Sequence, residues 1–275
     1  MQCEVKGIPV HYVEFGSGRP FFGLHGWPLD HRHMVVEFEP LFENRSGWRR
    51  IYPDMPGMGQ TPGVDSITSQ DQMLEALLAF IDAVAPGERF VVAGTSYGGY
   101  LARGVVFNKG RQMDGMMINV PVAETDKDKR RLPPYRLIHK DPDYLAAIGS
   151  GQEDFPFSAQ SVMALEHLRK YYNPAVAIAD TSFLGRVEKQ YPFSFAVDTL
   201  PEPFPAPALI LTGRFDHWCG YREAYALLDQ YPRATYAVVD RAGHALVIEE
   251  NGLFLALAND WLDRVEEYSR DSAEG

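Results

Sequence analysis

Ser96 lies in the run Gly94-Thr95-Ser96-Tyr97-Gly98, behind the apolar residues Val91-Val92-Ala93 and ahead of Tyr100-Leu101-Ala102-Arg103. A serine hydroxyl alone is a weak nucleophile and needs a base beside it in an exposed, strained setting. A strand running straight into a helix supplies that setting, because the sharp turn forces its central residue into an unfavourable backbone region. The turn also crowds the positions two before and two after. Glycine at Gly94 and Gly98 removes the side chains that would collide there. The N–H of Tyr97, at the start of the helix, then points at the serine oxygen, where negative charge develops in acyl transfer. A G-x-S-x-G pentad arises often by chance, so the strand pattern before it and the helical pattern after it carry the inference.

A second N–H donor is expected from His25-Gly26-Trp27-Pro28, which follows the apolar residues 20–24. Trp27 N–H and Tyr97 N–H would together form an oxyanion hole, whose donors are worth roughly 10²–10³ in rate each. His25 itself reads as a structural histidine bonded to backbone. Of the eight histidines, His244 is the best base. It sits in Asp240-Arg241-Ala242-Gly243-His244, beyond an apolar run, and a loop at the carboxyl end of a strand is where an open α/β sheet places its site. Asp216, in Leu211-Thr212-Gly213-Arg214-Phe215-Asp216-His217, is the acid that would fix the imidazole tautomer. His217 is a rival base but stands next to its acid in sequence, from where its ring would rarely reach it. His25, His31 and His33 could suggest a metal, but no Asp or Cys completes a ligand set at suitable spacing, which leaves His31 and His33 as a solvated helix start.

These groups need elements to hold them. Short apolar runs bounded by Gly and Pro alternate with helical patterns, which predicts a mainly parallel sheet covered by helices. Strands are expected over residues 10–15, 20–24, 50–53, 90–93, 115–119, 208–212 and 235–239. A helix should follow Ser69, with Ser69 and Gln72 as a capping box and Met73, Leu77, Phe80, Ile81 and Val84 on one face. Another should close the chain with Leu253, Leu257, Trp261, Leu262 and Val265 as its stripe. Residues 121–200 differ. They open on a charged segment, are rich in aromatics such as Tyr144, Phe155, Phe157, Tyr172 and Tyr191, and lead into a stiff Pro-rich stretch ending at Pro207. This part is expected to be a mostly helical insertion over one end of the sheet, with most of its aromatics in a small core of its own.

The 275 residues, 45% hydrophobic and 23% charged, are ordinary for a globular protein with a core of good size. A net charge of -11 without a basic run argues against nucleic acid or an anionic membrane surface as partner. Cys3 and Cys219 have neither metal-ligand nor redox spacing and read as free thiols. Neither a signal pattern nor a bilayer-length apolar run is visible, so a cytoplasmic protein is expected. Oligomeric state is left open, a homo-oligomer included.

Four landmarks, His25-Gly26-Trp27-Pro28, Asp54-Met55-Pro56-Gly57-Met58-Gly59, the Ser96 turn, and Asp216 with His244, fall in an order that resembles the α/β-hydrolase superfamily, from about Val10 to Val265. The resemblance implies a mostly parallel eight-stranded sheet flanked by helices. The core would comprise residues 1–120 and 201–275, with residues 121–200 a helical cap inserted after the sixth strand. It implies no metal and no organic cofactor. Thr95 stands where many relatives have histidine, and Gln60 where many have serine. A serine nucleophile sets aside the dehalogenase and epoxide hydrolase branches, and Asn119 after the sixth strand cannot replace Asp216. The chemistry expected is acyl transfer to water from a small, fairly apolar ester. Alternatives on the same scaffold are carbon–carbon bond hydrolysis, prolyl aminopeptidase, lactonase or haloperoxidase-like activity, or a non-catalytic ligand receptor. Arg103, Arg136, Arg169 or Arg186 could bind a substrate carboxylate, although surface ion pairs explain such arginines equally well.

Overall fold

Continuous apolar runs suit strands covered on both faces. The computed structural model, which describes residues 1–148 and 155–274, pairs them into one sheet. The strands are β1 (Gln2–Val5), β2 (Ile8–Gly16), β3 (Arg19–Leu24), β4 (Trp48–Pro53), β5 (Phe90–Thr95), β6 (Met113–Asn119), β7 (Ala208–Gly213) and β8 (Ala234–Val239). Their order is β1-β2-β4-β3-β5-β6-β7-β8, antiparallel at the first two pairings and parallel thereafter. β1 is absent from the sequence expectation because it is a short, half-polar edge strand with no apolar run to mark it.

The helices are α1 (His31–Phe38), α2 (Gln70–Val84), α3 (Tyr97–Lys109), α4 (Pro142–Ile148), α5 (Val162–His167), α6 (Asn173–Ile178), α7 (Thr181–Val187), α8 (Arg222–Tyr225), α9 (Leu246–Glu249) and α10 (Asn251–Glu274). Side chains alternate across the central strands. Phe22, Val92, Met116 and Ile210 join one apolar layer with Leu77 and Phe80 of α2 and Leu101 of α3. Phe21, Val91, Met117 and Leu209 join the other with Phe38 of α1 and Trp261 of α10. The period-two split of each strand is thus what puts two helices on either face.

Two local expectations shift. Ser69 Oγ accepts from Gln72 N–H at the start of α2, but the Gln72 side chain accepts from the backbone N–H of Thr68 at 2.7 Å in place of that of Ser69. In α10 the buried stripe runs through Phe254, Ala258, Trp261, Leu262 and Val265. Over its first turns the buried positions are Phe254 and Ala258, one residue on from the expected Leu253, which is exposed, and Leu257, which is half-buried; Trp261, Leu262 and Val265 are buried as expected.

Residues 120–207 leave the sheet between β6 and β7 and contain α4 to α7, with a π-helical turn at Leu168–Tyr172 joining α5 to α6. Residues 149–154 of the expected cap lie outside the described residues. The aromatics of this segment divide. Tyr144 and Phe157 build a small cluster with Leu165 and Leu168. Tyr191, Phe193 and Phe183 join the main core instead, with Phe193 stacked on Tyr100 of α3 at 4.1 Å. Arg103 of α3 is fully buried and binds Asp198 and the Val122 carbonyl. Among the described residues no helix is long and apolar enough to cross a membrane, and both cysteines are free thiols.

His31 does not begin a solvated helix start, and an aspartate does come to it. Asp54, at the end of β4, is buried with its Oδ1 accepting from His31 N–H and Nδ1 (both 2.8 Å) and its Oδ2 from His11 Nδ1 (2.8 Å) and Gln60 N–H (2.9 Å). One carboxylate therefore ties β2, α1 and the loop after β4 together at the carboxyl end of the sheet. Burial alone would push this carboxyl up, but hydrogen bonding and charge from His31 outweigh it and hold it at about 2. With the folded value depressed below the ordinary 3.8, the contribution is fully present above 3.8 and is lost as pH falls through about 2. Asp54→Asn should lower the unfolding free energy at pH 7 by about 2 kcal/mol and flatten its decline between those two pH values. Urea unfolding as a function of pH checks this.

Candidate active site

β5 delivers Ser96 at its carboxyl end and α3 begins one residue later. Ser96 has φ +57° and ψ −112°, outside the ordinary regions for a side-chain-bearing residue. The two glycines are needed for space. A Cβ on Gly94 would lie 2.2 Å from the Gly98 carbonyl oxygen, and one on Gly98 would lie 1.9 Å from that of Leu24.

Asp216 and His244 come from the loops after β7 and β8, as expected. These loops approach so closely that a Cβ on Gly213 would lie 2.2 Å from the Gly243 carbonyl oxygen. Ser96 Oγ is 3.0 Å from His244 Nε2, and His244 Nδ1 is 2.9 Å from Asp216 Oδ2. The other oxygen of Asp216 accepts from Trp218 N–H (2.9 Å) and Cys219 N–H (3.0 Å), so the carboxylate is buried but fully bonded. Burial would raise its pKa; the His244 ring outweighs that and holds it below the carboxylate range. Burial would likewise lower His244, but the Asp216 charge beside it lifts the imidazole well above 6.5.

The residues expected to supply oxyanion donors lie on segments next to Ser96, Tyr97 following it in the chain. A Cβ on Gly26 would be 3.5 Å from Ser96 Cβ, which brings the Trp27 strand end beside the nucleophile. The N–H groups of Trp27 and Tyr97 have no acceptor among the described residues. His25 is structural. Met55 N–H donates to its Nε2 (3.0 Å), and its Nδ1 donates to the Gly26 carbonyl (2.9 Å), fixing the loop that carries Trp27. Burial pushes this imidazole's pKa down, in keeping with the neutral form. His217 turns away, its ring 5.4 Å from that of Tyr135.

A cavity of about 280 Å³ opens over Ser96 and His244, walled by Trp27, Phe155, Phe157, Tyr172, Trp218 and Ile248. None of the four arginines singled out from the sequence lines it. Arg103 is held by Asp198, and Arg186 pairs with Asp65 at 3.3 Å. Arg130 lines it instead, donating to the carbonyls of Glu124 and Trp218 (both 2.8 Å) and carrying no ion pair among the described residues.

Sequence reasoning also passes over two carboxyl groups. Glu249 accepts from Gly243 N–H at 2.6 Å and from Ser158 and Ala159 N–H, tying the His244 loop to the segment over the cavity. Burial lifts its pKa to about 7 against those bonds. Glu37 of α1 accepts from Thr95 Oγ1 at 3.1 Å, and burial pushes its carboxyl up to about 8. It lies beside His33 and His167, both buried, so His33 is not solvated either. Only the four-residue step from His33 to Glu37 is visible in the sequence.

A family model described as the alpha/beta hydrolase family matches residues 22–257. An AB hydrolase superfamily protein of Bacillus subtilis, YisY, is 30% identical over 137 residues, half of each chain. A 2-hydroxy-6-oxo-6-(2'-aminophenyl)hexa-2,4-dienoic acid hydrolase of Metapseudomonas resinovorans is 21% identical, covering 97% of this chain and 92% of that protein. A pimeloyl-[acyl-carrier protein] methyl ester esterase of Legionella pneumophila is 20% identical over 92% and 99%. Among solved structures, an alpha/beta superfamily hydrolase from Oenococcus oeni superposes with a TM-score of 0.83 at 27% identity, covering 94% and 96%.

The contacts at the turn set an expectation for stability. Gly98→Ala should lower the unfolding free energy by roughly 1–3 kcal/mol, because the colliding atom is backbone. Gly185→Ala, in α7 with nothing within 4 Å, should be neutral or stabilising by up to about 1 kcal/mol. Parallel chemical denaturation of the two variants checks the contrast.

Proposed function

The chain belongs to the alpha/beta hydrolase family, and on that premise we propose that it is a serine hydrolase working by acyl transfer through Ser96, His244 and Asp216. The observation that carries the proposal is the relay of short contacts: Ser96 Oγ to His244 Nε2 at 3.0 Å, and His244 Nδ1 to Asp216 at 2.9 Å. Ser96 Oγ attacks the substrate carbonyl while His244 Nε2 takes its proton. Negative charge gathers on the carbonyl oxygen between the N–H groups of Trp27 and Tyr97. The proton passes from His244 to the leaving oxygen, the carbon–oxygen bond breaks, and Ser96 is left acylated. A water molecule then gives a proton to His244 and attacks the acyl carbon; the bond from that carbon to Ser96 Oγ breaks as His244 returns the proton to Ser96, releasing the acid. Asp216 stays ionised throughout and stabilises the imidazolium.

The aromatic walls and modest volume of the cavity favour a small, fairly apolar ester. We assign residues 121–200 to a cap over that cavity and residues 1–120 and 201–275 to the hydrolase core. The two free thiols favour a cytoplasmic setting. A second reading, carbon–carbon bond hydrolysis of a substrate bearing a carboxylate, draws support from Arg130, whose charge faces the cavity without a paired acid among the described residues.

Turnover of a p-nitrophenyl ester should fall by roughly 10⁶ in Ser96→Ala and about 10⁴ in Asp216→Asn. His244 must be neutral to accept a proton, so kcat/KM should rise with pH to a plateau with a midpoint above 6.5. Asp216→Asn should move that midpoint down. Undiminished turnover in Ser96→Ala would sink the mechanism. Steady-state assays of the ester beside a vinylogous diketone carboxylate distinguish the two readings: Arg130→Ala should raise KM for the second substrate alone.

A further inference from the structure

Two three-residue clusters outside the Ser96 relay have the chemistry of metal ligands, and they differ in how their atoms are used. In the first, His11, His31 and Asp54 form donor–acceptor pairs, and both Asp54 oxygens are fully engaged. That cluster satisfies itself. In the second, His33, Glu37 and His167 bring one nitrogen or oxygen each within 4.8 Å of the others. His33 Nε2 lies 3.3 Å from Glu37 Oε1, about the spacing of two ligands on a tetrahedral ion with bonds near 2.1 Å. His33 Nδ1 and His167 Nε2 are buried and have no hydrogen-bond partner among the described residues.

The framework around this second cluster is suited to ligation. His33 and Glu37 are one helical turn apart on α1, so both side chains project from one face. His167 arrives from the end of α5, where the π-helical turn begins. Thr95 Oγ1 donates to Glu37 Oε2 and leaves Oε1 turned toward His33, an outer contact of the kind that orients a ligating carboxylate. Burying an imidazole nitrogen with no partner is unfavourable. A shared cation would relieve the atoms that bind it, drawing one lone pair from each of the three residues to one point.

We propose that His33, Glu37 and His167 form a binding site for a divalent transition-metal cation of the zinc class, with its remaining coordination position open to the cavity that contains Ser96. Two imidazoles and one carboxylate are a ligand set that zinc accepts with an open fourth position. All three residues line the cavity wall, so a donor atom of a substrate or a water molecule can complete the shell. The resemblance drawn from the sequence implied no metal, and Ser96 chemistry does not require one. The site therefore stands or falls separately from acyl transfer.

The test is titration of the purified, chelator-treated protein with cobalt(II) chloride, followed by visible absorption and by displacement with zinc chloride. The expected result is one equivalent bound with the d–d bands of a four-coordinate nitrogen–oxygen site, bleached by zinc. Affinity should fall by more than about 100-fold in Glu37→Gln and in His167→Phe. It should be unchanged in Ser96→Ala, His31→Asn and Cys219→Ser. Circular dichroism melts confirm that each variant is folded, and the two ligand variants lie on separate segments, so one local failure does not remove the test. Absence of saturable binding overturns the proposal, as does binding that survives both ligand variants. Cobalt binding with a thiolate charge-transfer band, lost in Cys219→Ser, also overturns it and assigns the ion to the Asp216–Cys219–His244 group.

Discussion

The contact between the first turn of α3 and the end of β3 constrains everything around Ser96. A strand can pass into a helix at one residue only if the helix start presses against its own strand and the neighbouring one. Here the Gly94–Gly98 and Gly98–Leu24 approaches leave no room for a methyl group. That closeness holds Ser96 at positive φ at the very start of α3. It also brings the end of β3, and with it Gly26 and Trp27, against the nucleophile. The buried layers on both faces of β3, β5, β6 and β7 supply the packing that sustains such a strained residue.

Carboxylates fix the loops in relation to that turn. Asp54 gathers β2, α1 and the loop after β4, while Asp216 gathers the loops after β7 and β8. Glu249 links the His244 loop to the segment over the cavity. Asp54 and Asp216 sit out of water and Glu249 is half-buried, and each is matched by three or four donors, which makes burial of the charge tolerable and ties its position to the backbone. Glu37 differs: Thr95 is its one hydrogen-bond donor among the described residues, and two imidazoles with orphaned nitrogens stand beside it. Thr95 is what connects this corner to the Ser96 turn.

Much of this architecture is legible in the order of residues along the chain. β3 and β5 to β7 are buried on both faces, so they read as unbroken apolar runs, and the glycines around Ser96 mark a steric demand that sequence records directly. His244 and Asp216 are legible because each follows such a run. β1 is not, being an edge strand with half its residues in water. The first turns of the α10 stripe read one position out of line because leucine and phenylalanine occupy adjacent positions, and either could face the sheet. His31, His33, Glu37, His167 and Glu249 depend on partners far away in sequence. Neither spacing nor periodicity encodes such meetings, and the fold alone creates them.

The central claim is that Ser96 carries the acyl group during turnover. Mass spectrometry of protein acid-quenched during hydrolysis of a p-nitrophenyl ester tests it directly. The account predicts an added acyl mass on the peptide containing Ser96, formed at the rate of the p-nitrophenol burst and lost on further incubation. Turnover with no adduct, or with the adduct on another residue, would contradict it.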